Sequence, residues 1–102
     1  MENKVEVIRD EIQKAFPDAR IEYREKKFEL HKFRIDREGR PSCWLYLTWK
    51  YIEDHGDKEV LDILRRWNVF EILNNAPKSK WLAVDDFGVH EVNDCYGRGY
   101  RL

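Results

Sequence analysis

Cysteine is scarce in this chain. Cys43 and Cys95 are the only two, too few for a disulfide scaffold, so an apolar core has to hold the fold and free buried thiols are expected. Three prolines and five glycines leave no room for a linker-rich or low-complexity architecture. Charge of one sign is also missing. The 19 basic residues face 20 acidic ones, interspersed, for a net charge of −1, which excludes a strong field that would pull in a polyanion. No apolar run approaches the roughly 20 residues of a membrane-spanning helix. The start, Met1-Glu2-Asn3-Lys4-Val5-Glu6, lacks the apolar segment of a signal peptide, so a cytoplasmic location is expected. HxxxH, HxH and CxxC spacings are absent, and so is every glycine-rich phosphate loop.

Aromatic residues are plentiful by contrast. They make up 14% of 102 residues, with four Trp, which points to one folded domain over residues 1–102. The longest apolar stretch, 41–52, contains Cys43-Trp44-Leu45-Tyr46-Leu47-Thr48-Trp49-Lys50-Tyr51-Ile52 and is expected as a long central strand. Alternation sets Cys43, Leu45, Leu47, Trp49 and Tyr51 on a core face. Trp44, Tyr46, Thr48, Lys50 and Ile52 fall on the other. Side chains as large as Trp44 and Tyr46 require a cover, either the chain's own tail or a partner.

Elsewhere the pattern is regular. Asn3 and Glu6 have capping-box spacing, and Val5, Ile8, Ile12, Ala15 and Phe16 form a helical stripe that Pro17 ends. Ala19, Ile21 and Tyr23 alternate with charges as a first strand. A second strand over 28–36 changes parity between Leu30 and Phe33, which predicts a bulge near His31-Lys32. Asp57 is expected to cap a helix carrying Val60, Ile63, Leu64 and Trp67, with a break at Asn68 and a short helix to Asn74. Residues 81–92 read as a hairpin with Gly88 in a left-handed position. Residues 93–102 read as an irregular tail. The expected fold class is therefore α+β, in the order α-β-β-β-α-α-β-β, with an antiparallel sheet and its helices packed on one face.

The candidate chemistry is thin. His31, His55 and His90 are scattered. Asp85, Asp86, His90, Asp94 and Cys95 lie close in sequence, but the aspartates suit turns for their own backbone hydrogen bonds. Asp86-Phe87-Gly88 copies a kinase tripeptide without any companion motif. Cys43 reads as a core thiol. No catalytic residue, metal site or cofactor is assigned.

The element order over residues 3–67 resembles the double-stranded RNA-binding domain. That resemblance implies phosphate-gripping lysines at the start of the second helix. This chain has Asp57-Lys58-Glu59 there, so no site residue carries over.

The binding candidates are Trp44, Tyr46 and Lys50 on the strand face, with Tyr96, Arg98 and Tyr100 of the tail. The leading expectation is a non-catalytic protein-binding or self-associating module, since Trp, Tyr and Arg dominate binding hot spots. The alternative is single-stranded nucleic-acid binding through the same face and the Arg/Gly/Tyr tail. A second alternative is a small hydrolase or nuclease with a His/Asp site, which would require a pocket holding a histidine beside a carboxylate or thiol.

Overall fold

A computed structural model of the chain describes residues 4–26, 29–76 and 78–92. The order is α1 (Lys4–Ala15), β1 (Arg20–Lys26), β2 (Leu30–Asp36), β3 (Cys43–Thr48), α2 (Trp49–Asp54), α3 (Asp57–Arg66), α4 (Val69–Asn74), β4 (Lys80–Asp85) and β5 (Gly88–Val92). The α+β class holds. One helix, α2, was not foreseen.

The five strands lie in sequence order, and β1–β2, β2–β3 and β4–β5 pair antiparallel. The expectation of a wholly antiparallel sheet is corrected by β3 and β4, which run parallel. Parallel neighbours need a long crossover, and the three helices between β3 and β4 supply it.

Every described helix contributes to one core. Ile8, Ile12 and Phe16 of the α1 region, Tyr51, Ile52, Val60, Leu64, Val69 and Leu73 meet Ile21, Phe33, Ile35, Leu45, Leu47, Leu82 and Val84 of the sheet. The spacing of Ile8 and Ile12 puts both on one side of α1, and Gln13 closes the end by donating to the carbonyls of Phe16 and Ala19, both at 3.0 Å. The expected partner of its first turn, Asn3, lies outside the described residues.

A second, smaller core of Leu30, Tyr46, Ala83 and Val92, with Trp44 and Trp81 against it, occupies the opposite face. It removes the expected bulge. Leu30 and Phe33 differ in parity because both faces of β2 are apolar, and the β2–β3 register runs unbroken from Leu30 opposite Thr48 to Ile35 opposite Cys43.

The central strand is shorter than its composition predicts. It stops at Thr48, whose hydroxyl accepts from the Tyr51 N–H at 3.3 Å and starts α2. A strand running to Ile52 would have sent Tyr51 and Ile52 to opposite faces. The helix buries both in the main core. Two caps also differ: Gly56, not Asp57, is the N-cap of α3, and Asn68 precedes α4 in the left-handed region (φ 53°) without a side-chain cap bond. The last hairpin forms as expected, with Asp85 opposite Gly88, a φ of 126° at Gly88, and Asp85 Oδ1 accepting from the Phe87 N–H at 2.8 Å.

Candidate functional site

The helix-free side of the sheet is built from two rows of register partners. Glu22, Arg34, Trp44, Trp81 and Val92 form one, and Arg24, Lys32, Tyr46, Ala83 and His90 form the other. In the first row Trp44 and Trp81 stack with centroids 4.9 Å apart and planes 16° from parallel. The Arg34 guanidinium lies 5.5 Å from the Trp44 ring, while its Nε holds Asp36 at 3.0 Å. Trp44 is thus sandwiched between Arg34 and Trp81.

In the second row the Lys32 ammonium sits 5.7 Å from the Tyr46 ring. Arg24 and Lys32 are direct cross-strand partners, and neither forms an ion pair among the described residues. Like charges placed directly opposite each other on paired strands are destabilising. This row carries positive charge that the described protein does not balance.

Trp44 is half-buried on this face, as alternation implied. Tyr46 is on the same face but wholly buried, so it belongs to the second core and offers no surface. Lys50 is removed from the face because the strand has already turned into α2, where it reaches Asp54 at 4.0 Å. Tyr96, Arg98 and Tyr100 lie outside the described residues, and with them any question of the tail covering Trp44. The residues of this face absent from the binding candidates of the linear reading are Arg24, Lys32, Arg34 and Trp81. Alternation in β1 and β2 marks the first three as outward. Only strand pairing puts them beside Trp44.

A second feature lies on the helix side. His31 is 4% exposed and stacks on Trp49 with centroids 4.8 Å apart and planes 8° from parallel. Its Nδ1 is hydrogen-bonded to Tyr23 Oη at 2.6 Å, and that hydroxyl donates to Glu25 Oε2 at 3.4 Å. Either neutral tautomer of the imidazole can make the Nδ1 contact to Tyr23. Burial lowers the His31 pKa, opposed by Glu25 and Glu53, and burial together with Glu25 pushes Tyr23 up to about 12. His31, Tyr23, Glu25, Arg9 and Trp49 line an open cleft of about 620 Å³. A histidine beside a carboxylate in a concavity is what the hydrolase alternative asked for. Yet His31 Nε2 is closed to solvent and has no partner among the described residues, so a substrate cannot reach it in this arrangement.

The remaining candidates are engaged by neighbouring groups of the fold. His55 bridges Glu59 and Asp86, and His90 Nε2 lies 3.1 Å from Asp85. Cys43 is buried and its thiol donates to the Leu73 carbonyl at 3.5 Å. Asp94 and Cys95 lie outside the described residues, and no group of three or more potential ligands that could hold a metal occurs among the rest. No helix among the described residues is long and apolar enough to cross a membrane.

This geometry defines an α+β domain with helices on one side of a mixed five-stranded sheet and a basic, aromatic row on the other. No protein-family model matches the chain, and no curated protein or solved structure shows significant similarity to it.

Proposed function

We propose that this protein is a non-catalytic binding module that docks an acidic segment of another protein on the helix-free sheet face, through Arg24, Lys32, Arg34 and the edge of Trp44. The observation that carries the reading is the Arg24–Lys32 register pair, which has no counter-ion among the described residues and adjoins a half-buried tryptophan stack. A partner carboxylate on that row would remove the repulsion, and Trp and Arg are the side chains that most often anchor interfaces.

Two rival occupants fit less well. A symmetric dimer through this face would bring two copies of the same uncompensated basic row together, which costs rather than gains. Single-strand binding relies on ring faces open for base stacking. Here Arg34 and Trp81 occupy both faces of Trp44, and Tyr46 is enclosed.

The test is affinity capture from cells that make the protein, comparing the wild type with Arg24→Glu/Lys32→Glu and with Lys50→Glu as the control on α2. A specific partner retained by wild type and Lys50→Glu but lost from the double variant supports the reading. An identical set from all three, or a tight single-stranded oligonucleotide complex with purified protein, overturns it.

A further inference from the structure

We propose that the cleft between the end of α1, the β2–β3 connection and the end of α4 binds the phosphate group of a small phosphorylated molecule through Arg37 and Arg40. The cleft has a volume of about 600 Å³ and is lined by Phe16, Asp18, Arg37, Glu38, Arg40 and Asn74, among others. That volume lies in the range of small-molecule sites, about 300–1,000 Å³.

Asn74 draws the two arginines together. Arg37 Nη1 donates to its side-chain oxygen at 2.5 Å, and Arg40 Nη1 donates to its backbone carbonyl at 3.1 Å. The Arg37 guanidinium is also laid over the Phe16 ring, 5.0 Å from the centroid, which fixes its plane. Two guanidinium groups are thus held to one residue, yet among the described residues neither has a carboxylate within ion-pair distance. Arg37 Nε is closed to solvent and has no acceptor among the described residues, so an incoming phosphate meets the outer Nη groups of Arg37 and not its Nε.

Asp18 and Glu38 balance the two arginines in number, so donor placement and not net charge selects the ligand class. A phosphate monoester carries about −1.5 to −2 at neutral pH and offers enough oxygens to engage both guanidinium groups at once. Arginine donors also suit phosphate oxygens in geometry. Asp18 and Glu38 are exposed on the rim of the same cleft. They repel an anion placed midway, so the phosphate sits at the Asn74 end and the rest of the molecule extends toward them, where hydroxyl groups can donate to the carboxylates.

The experiment is calorimetric titration of the full chain with inorganic phosphate and with ribose 5-phosphate, at constant ionic strength set by chloride. Saturable binding is expected, tighter for the sugar phosphate. Arg40→Gln, at an exposed position that leaves the fold intact, and Arg37→Gln should each weaken it by about ten- to a hundredfold, the effect of removing a charge-assisted hydrogen bond. Absence of saturable binding by either probe overturns the proposal. So does an affinity unchanged in both variants, or binding of inorganic phosphate with no gain from the sugar.

Discussion

His55 Nε2 lies 2.6 Å from Asp86 Oδ1, a contact that ties the residue after α2 to the β4–β5 turn. The other ring nitrogen, Nδ1, is 3.0 Å from Glu59 Oε2 on α3. Lys4 Nζ donates to the carbonyls of Ile52 and His55, both at 2.9 Å, and the Tyr51 ring packs 4.8 Å from the imidazole. An imidazolium can donate to both carboxylates at once, which a neutral ring cannot. The hydrogen bonds to Glu59 and then Asp86 therefore raise the His55 pKa above its ordinary value.

Because the folded-state pKa is raised, protonated His55 stabilises the fold fully below the unfolded value of about 6.5, and that contribution disappears as pH rises through the folded value. His55→Gln should lower the urea midpoint at pH 5.5 and leave it close to wild type at pH 9. Equal losses at both pH values would show that the ring acts by packing alone. Glu59 and Asp86 are partly exposed, so added salt should shrink the difference.

His31 acts in the opposite sense. Its pKa is lowered by burial, so the unfolded chain binds the proton more readily and stability falls as pH drops below about 6.5. His31→Phe keeps a ring between Tyr23 and Trp49 but has nothing to protonate. Comparing urea midpoints of the two proteins at pH 7.5 and pH 5 should give a smaller acid loss for the variant. A larger acid loss would contradict the assignment.

Gly88 is held at φ 126°, and a Cβ built there meets the Trp67 ring at 3.3 Å. Gly88→Ala adds backbone strain to that close approach and should cost about 1–3 kcal/mol in chemical denaturation. Shortening the neighbour as well, in Gly88→Ala/Trp67→Leu, removes the contact and leaves the strain. A double variant no better than Gly88→Ala would assign the whole cost to the backbone.

The Trp44–Trp81 stack should be energetically coupled. A double-mutant cycle with Trp44→Leu and Trp81→Leu is expected to return about 0.5–1.5 kcal/mol, the range for aromatic pairs. Strict additivity would mean that the rings are neighbours without interaction, and the rigid edge ascribed to Trp44 would be lost.

Much of this was legible in the chain itself. The α1 stripe ends at Pro17, the break falls at Asn68 and the last hairpin turns at Gly88, because each rests on local spacing and backbone preference. The end of β3 was hidden. Trp49 and Tyr51 have strong strand propensity, and only the Thr48 cap and the shared burial of Tyr51 and Ile52 make the segment helical. The parity of Leu30 misled for a similar reason, since alternation cannot distinguish a bulge from a sheet with apolar residues on both faces. The Arg24–Lys32 pair and the meeting of Arg37 with Asn74 depend on partners distant in sequence, so no local pattern discloses them.

The four tryptophan indole N–H groups report on the docking face directly, because Trp44 and Trp81 lie on it, Trp49 stacks on His31, and Trp67 meets Gly88. The decisive measurement is a nitrogen–proton correlation spectrum recorded while the captured partner is added. The signals of Trp44 and Trp81 should shift or broaden together, and those of Trp49 and Trp67 should stay in place. Movement confined to Trp49 or Trp67, with the sheet-face pair unchanged, would place the interface elsewhere and contradict the account.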